Sequence, residues 1–373
     1  MSESKAGALS GIRILDFSRV LAGPYATMLL ADFGAEIIKV ERPDGGDDTR
    51  SWGPPWYGEE STYFLAVNRN KQSHTIDLKS EAAQREMLDL ARTCDVLVEN
   101  FRPGAMARLG LGYEDIKNIN PGIVYCSISG FGSSGGAHLA GYDLIAQAAG
   151  GLMSVTGHAE TGPAKAGVAL VDIITGLHAA IGIQTALYER FSSGTGQLVE
   201  VNLLSSLLSA LSNQASAHIL TGDVPGLMGN AHPSVAPYQP LTTADRPLTV
   251  AATTNAQFAK FVQAIGRPDL ANQSTYRTNA DRVAHREALI AELETSLKSE
   301  TADYWFETLS AVGIPCAPIN DLGQAVKLAD RLGLEPVVRP EGAAGGIAQV
   351  RNPISLSRTP ARYRTPPPEL ECQ

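Results

Sequence analysis

The chain has 373 residues, 44% of them hydrophobic and 18% charged, a composition that excludes a disordered chain and fits a packed globular enzyme. That length exceeds one ordinary core and predicts two domains, or one large domain with a substantial insert. A formal net charge of −9 excludes a nucleic-acid partner, which needs a basic face, but leaves room for an anionic small ligand held by a few local arginines.

From the start, MSESKAGALSGIR shows no basic-then-apolar layout, so a cytoplasmic protein is expected. Ile12 to Phe17 (IRILDF) reads as a short strand ending in Asp16. A polar turn, Ser18 to Pro24, and a helix from Tyr25 to Phe33 follow, and Glu36 to Glu41 (EIIKVE) is the next strand. This β-turn-α-β unit opens a parallel sheet. Its turn holds only Gly23 rather than G-x-G-x-x-G, so a nicotinamide cofactor with Glu41 on the ribose is rejected.

Arg42 to Trp56, rich in Gly, Pro, Asp and Trp, is a loop. A strand at Ser73 to Leu78, a helix at Ser80 to Cys94 and a strand at Asp95 to Glu99 come next. The last runs into Asn100, Phe101, Arg102, Pro103 and Gly104, and the helix beyond carries Arg108. Ile123 to Ile128 is a strand, followed by a glycine-serine loop from Gly130 to Gly136. Open α/β sheets bind ligands at the carboxyl ends of their strands. Arg19, Arg42, Arg69, Lys71, Arg102 and Arg108 fall in or near those loops, and clustered there they would meet phosphates.

Val168 to Val171 is an apolar run that stops at Asp172, where a helix pattern begins and continues to Phe191. Asp172 reads either as the N-cap of that helix or as a carboxylate held ionised at its mouth and available as a nucleophile. Val201 to Gly222 lacks Asp, Glu, Lys and Arg but is full of Ser, Asn and Gln, which are costly in lipid. It is read as a buried or subunit-facing helix rather than a membrane span. Met228 to Thr243 is irregular and Pro-rich. A second, smaller α/β unit then follows, with a strand at Leu248 to Thr253 and helices at Asn255 to Ile265, Asn279 to Lys298 and Thr301 to Val312. Ile314 to Ile319, with two prolines, is an edge strand or a crossing linker. The tail from Val350 has a strand start at Asn352 to Ile354 and a proline-rich end, and returns to the first domain. Cys94, Cys126, Cys316 and Cys372 lie far apart without CxxC spacing, so free thiols are expected and a metal site is not.

Several segments together resemble the class III coenzyme A (CoA) transferase family of the CaiB/BaiF type, which includes formyl-CoA transferases. They are LSGIRILDFSRVLAGPYATMLLADFGAEIIKVERP, Gly46 to Arg50 (GDDTR), Glu99 to Gly110, Ser127 to Gly132, Gly141 to Gly151, Val171 to Gly176 and Gly229 to Gln239. The resemblance spans nearly the whole chain. It implies an α/β fold: a large Rossmann-like domain built from both chain ends, a small α/β domain, and an intertwined, ring-like homodimer. The corresponding ranges are 1–200 for the CoA-binding part, 201–227 for linker helices, 228–325 for the small domain and 326–373 for a linker and return.

The family's nucleophilic aspartate falls on Asp172, and its CoA-holding positions fall on Arg19, Val20, Ala22, Arg42, Ile76, Asn100, Phe101 and Arg108. The implied substrates are an acyl-CoA and a small carboxylic acid, with no permanently bound cofactor and no metal. The α-methylacyl-CoA racemases of the same superfamily use a histidine opposite the aspartate, with a supporting glutamate. Here those positions are Tyr142 and, nearby, Thr242, and a phenol with its ordinary pKa of about 10 is a poor base at neutral pH. The transferase reading is therefore preferred over racemisation. Tyr142, His232 and Tyr238 are the candidate substrate contacts, with packing for Tyr142 and loop structuring before Pro233 for His232 as the alternatives. Formyl-CoA transferases carry glutamine where this chain has Leu21, and a run of glycines where it has His232 to Tyr238, so a formate and oxalate specificity is not carried over.

Overall fold

A computed structural model describes residues 7–340 and 346–370. The chain divides into two compact units. The first takes the chain up to Met153, then Lys165–Val224, then everything from Glu335; the second takes Ser154–Ala164 and Pro225–Leu334.

The first unit is built on six strands, β1 (Arg13–Asp16), β2 (Glu36–Glu41), β3 (Lys71–Thr75), β4 (Val96–Glu99), β5 (Val124–Ser129) and β6 (Leu198–Asn202). Their order is β6-β5-β4-β1-β2-β3, every neighbouring pair parallel. The chain runs outward from β1 through β3, then returns to lay β4 on the other side of β1. That reversal opens a crevice at the carboxyl ends of β1 and β4, the place where such sheets bind ligands.

Both sheet faces are covered, so the central strands are nearly continuous apolar runs. Ile14, Ile37, Val96, Val98 and Val124 face one way, against helices α1 (Ala22–Asp32) and α6 (Leu170–Ser193). Leu15, Ile38, Leu97 and Tyr125 face the other way, against α2 (Glu81–Ala91), α3 (Ala105–Arg108) and α4 (Tyr113–Ile119). α1 starts at Ala22 rather than Tyr25, because Pro24 sits in the first turn, where no amide donor is needed. α6 crosses α1 closely at Gly176, where a Cβ would stand 2.5 Å from the carbonyl oxygen of Ala22. By length and composition α6 is apolar enough to cross a bilayer. Here Val171, Thr175, Ala179, Ile183 and Ala186 are buried in the core of the unit.

Three expectations for this unit need correction. β3 begins at Lys71, two residues before the expected strand, because its register with Ile37 to Glu41 is set by pairing along β2. β6 has no counterpart among the expected strands, and its last two residues, Val201 and Asn202, fall in the stretch read as helix. Short and placed at the sheet edge, it shows its nature only through its parallel pairing with Tyr125 to Ser129. The remainder of that stretch splits into α7 (Leu203–Ala210), which is partly buried, and α8 (Ser212–Thr221), in which no residue is buried.

The tail lies along this unit. Asp32, fully buried, accepts Nε and Nη2 of Arg69 at 2.9 and 2.7 Å, and it also accepts the side-chain amides of Asn70 and Asn352. Asn352 therefore caps a buried carboxylate rather than starting a strand. The short strand nearby is Gln349–Val350, paired with Val337–Val338.

The second unit has an antiparallel sheet of β7 (Tyr238–Leu241), β8 (Leu248–Ala251) and β9 (Cys316–Pro318), in that order, so the proline-bearing strand is at an edge. Its core joins Val250, Phe258, Phe261, Leu293, Trp305 and Leu309. The helix expected over Asn279 to Lys298 is broken at His285 into Asn279–Ala284 and Arg286–Leu297. Cys94, Cys126 and Cys316 are free thiols, and Cys372 lies outside the described residues.

Replacing Asp32 by Ala leaves the buried Arg69 charge unpaired and cuts the tail's anchor. Loss of roughly 3–5 kcal/mol of stability is expected, read from the shift in a urea unfolding midpoint.

Candidate active site

At the β1/β4 crevice, the loop after β1 and the loop after β4 are joined by a reciprocal pair. The amide of Arg19 donates to Asn100 Oδ1 at 2.9 Å, and Asn100 Nδ2 donates to the carbonyl of Arg19 at 2.7 Å. Next to it, Val20 is held at φ 70°, a left-handed conformation that is costly for a β-branched residue. Its amide points at the carboxylate of Asp47, 3.3 Å from either oxygen. Asp47 is paired at 2.9 Å with Lys39, and Lys39 also donates to the carbonyl of Ser18 at 3.0 Å. Burial opposes both charges, yet each holds the other ionised: Lys39 is pushed up and Asp47 held below the usual carboxylate range.

This turn opens into a cavity of about 220 Å³ lined by Arg19, Val20, Ala22, Asn100, Phe101, Tyr142 and Asp172, among others. The Arg19 guanidinium lies 4.9 Å from the centre of the Phe101 ring and 3.5 Å from Asp48. Its Nε is buried with no hydrogen-bond partner among the described residues. Arg42 sits at the outer edge, donating to Asp48 at 2.7 Å and to the carbonyl of Asp44 at 2.8 Å. Ile76 is buried in the same apolar cluster that carries Phe101 at its margin. Arg108 is exposed, with an arm over Gly104, and has no carboxylate partner among the described residues.

Arg69 and Lys71 do not join this cationic group. Arg69 is spent on Asp32, and Lys71 is fully buried, donating to Pro24 O at 2.9 Å, to Asn68 at 3.0 Å and to Asp16 at 3.4 Å. Burial drives the Lys71 pKa down to about 7 against the pull of Asp16. Their charges serve the core because β3 begins at Lys71 and carries its side chain inward. Glu41 is likewise consumed internally, by Arg50 at 2.8 Å on both carboxylate oxygens and by Ser73 at 2.8 Å.

Asp172 is the third residue of α6, not its cap, and Ala169 at the cap position supplies no side-chain bond. The capping acceptor is Asp143, at the start of α5 (Asp143–Ala149). Its Oδ1 accepts the amides of Val171 at 2.7 Å and Asp172 at 3.2 Å. Gln147 completes the arrangement, donating to Asp143 Oδ2 at 2.5 Å and accepting the amide of Ala166 at 2.8 Å. The Asp172 side chain is thereby released from capping. Nor is it held ionised by the helix start: burial, and then the like charge of Asp143, push its pKa up to about 7.

Asp172, Tyr142, Val20 and Leu21 also line a second cavity of about 510 Å³. Its other walls include Trp52, Tyr63, Lys165, Val168 and Ala169. Tyr63 packs edge-on to Trp52, and burial and the charge of Asp172 raise its phenol to about 12, so it stays a donor. Asp172 thus stands between a cavity rich in polar and cationic groups and a more apolar one. His232 and Tyr238 lie in the second unit, where their rings stack 5.0 Å apart and Arg286 donates to the His232 carbonyl at 2.7 Å. Among the described residues no group of His, Cys, Asp and Glu side chains is placed to hold a metal.

Residues 9–373 match the profile of CoA-transferase family III. The chain belongs to that family. A succinyl-CoA:glutarate CoA-transferase of Mus musculus is 43% identical over 97% of this chain and 84% of that protein. A succinate–glutarate CoA-transferase of Agrobacterium fabrum is 40% identical over 97% of this chain and 92% of that protein. Among solved structures, a CAIB/BAIF family protein from Brucella suis superposes with a TM-score of 0.87 at 39% identity, over 98% of this chain and 97% of that one. The CoA-transferase moves CoA between an acyl-CoA and a carboxylate, and CoA enters as substrate.

Sequence reasoning missed three residues that this CoA-transferase places around Asp172. Asp143 lay inside the Gly141 to Gly151 segment, but its partner amides are 28 and 29 positions away. Tyr63 and Lys165 carried no motif at all, and only the fold brings them to one cavity.

Asp172 ionises with an apparent pKa of about 7, so a reaction that draws on its carboxylate is expected to show a kcat/KM for acyl-CoA that rises with pH through that value. Asp143→Asn keeps an oxygen for the two amides but removes the like charge. It should move that acid limb to lower pH, as read from a pH–rate profile.

Proposed function

We propose that the transferase works by covalent catalysis at Asp172, with the first cavity taking CoA and the second the acyl group. The observation that carries this reading is the half-buried Asp172, uncoupled from capping and exposed to both cavities. The Asp172 carboxylate attacks the carbonyl carbon of the donor thioester; the C–S bond breaks, CoA leaves as thiolate, and an aspartyl anhydride forms. The thiolate then attacks the aspartyl carbonyl carbon, expels the donor acid as carboxylate, and leaves an aspartyl-CoA thioester. The acceptor carboxylate displaces that thiolate to give a new anhydride. The thiolate attacks the acceptor's acyl carbon, forming product acyl-CoA and freeing Asp172. No net proton is taken up or released.

A carboxylate is a weak nucleophile in water, so exclusion of solvent and fixed orientation supply much of the rate gain. Arg19, Arg42 and Arg108 supply the cationic charge suited to CoA phosphates, and Phe101 and Ile76 an apolar seat for its base. The names of the relatives make succinyl-CoA and glutarate the first compounds to assay.

We also propose a homodimer. The outward side of α6 leaves Tyr188 at 82% and Phe191 at 92% exposure, and α8 adds Ile219 and Leu220, an apolar surface that a second copy would cover.

Asp172→Ala should abolish transfer while CoA binding persists, with hydroxylamine or mass spectrometry trapping an aspartyl adduct only in the wild-type protein. Transfer at the wild-type rate by that variant removes the mechanism. Arg108→Ala should raise the KM for acyl-CoA several-fold with little change in kcat, checked by steady-state kinetics.

A further inference from the structure

We propose that Lys165 is the counter-charge for the far carboxylate of a dicarboxylic acyl group, and so makes the transferase prefer dicarboxylic over monocarboxylic acids of equal length. The inference rests on the CoA-transfer reading above and assigns a specificity determinant within it.

The second cavity has the volume and the walls for a short carbon chain: Trp52, Tyr63, Val168 and Ala169 beside Asp172. Lys165 is the only basic residue among its described lining residues, facing two acidic ones, Asp143 and Asp172. An acid whose far end is also charged would meet repulsion from both aspartates and would lose hydration without compensation, unless a cation stood at that end. The Lys165 ammonium has no carboxylate partner among the described residues. Among the described residues its one hydrogen bond goes to the carbonyl of its neighbour Ala166, at 3.1 Å, so its charge is available to a ligand.

Two further features place it. The next residue, Ala166, donates its amide to Gln147, and Gln147 donates to the same Asp143 that fixes the start of α6. The Lys165 backbone and the Asp172 backbone are therefore held by one clamp, in a constant relation. Lys165 is also exposed, which leaves its stem room to reach the far end of a chain held beside Asp172. A lysine also suits the task better than a rigid guanidinium fork, because a point charge on a flexible stem follows diacids of different length.

The test compares glutarate with valerate, which share chain length and differ at the far end, as acceptors from the same succinyl-CoA and butyryl-CoA donors. Wild type should favour glutarate by roughly tenfold or more in kcat/KM, a charge-assisted bond's worth of discrimination. With butyryl-CoA as donor, Lys165→Met should erase that preference by raising the KM for glutarate much more than the KM for valerate. Lys165→Arg should restore most of it. An unchanged glutarate-to-valerate ratio in Lys165→Met, or a wild-type preference for valerate, overturns the role of Lys165 while CoA transfer stands. A wild-type protein that passes CoA to neither acid from either donor overturns the transfer reading and this inference with it.

Discussion

One carboxylate oxygen organises the reactive end of this protein. Asp143 Oδ1 accepts the amides of both Val171 and Asp172 and so caps a helix to which it does not belong. A helix start leaves its first amides without partners, and a polar side chain at the cap position ordinarily supplies one. Ala169 cannot, so the task passes to a residue on another helix. The consequence is chemical. Two aspartates differ in their surroundings, one tied down by backbone amides and the other with no hydrogen bond to its oxygens among the described residues. The negative charge that does the capping adds to burial in raising the Asp172 pKa toward neutrality.

The same logic of buried charge shapes the other side of the site. Lys39, Asp47, Glu41 and Arg50 form internal pairs beneath the turn from Ser18 to Ala22. Such pairs contribute little net stability against well-packed apolar groups, but leaving one partner alone is costly, so they fix one arrangement over others. Here the arrangement holds Val20 in a left-handed conformation that its side chain disfavours. It also places Arg19 on the lining of the crevice. The reversal of strand order at β1 and β4 creates the crevice, and the ion pairs give it its lining.

Segregation of the cations follows from this. Of the basic residues gathered at the strand ends in sequence, those on β3 or just before it turn inward to neutralise Asp16 and Asp32, whereas Arg19, Arg42 and Arg108 remain at or near the surface. Spacing along the chain could not separate the groups, because the distinction is made by partners distant in sequence: Asp32 takes Arg69 and Asp16 takes Lys71.

Periodicity and turn chemistry alone determined the α/β class, the parallel character of the first half and the failure of the dinucleotide fingerprint; that Cys316–Pro318 is an edge strand and not a crossing linker came from its pairing. The first three depend on local pattern, and local pattern is written in consecutive residues. The motif order along the chain was enough to identify the family. Tertiary structure alone decided that Asp172 is not a cap, that Asp143 is, and that Tyr63 and Lys165 reach the same cavity. It also decided that β6 is a strand, since an edge segment acquires its identity from its partner. In each case the deciding contact joins residues far apart in sequence, and no window of neighbouring residues contains both ends of it.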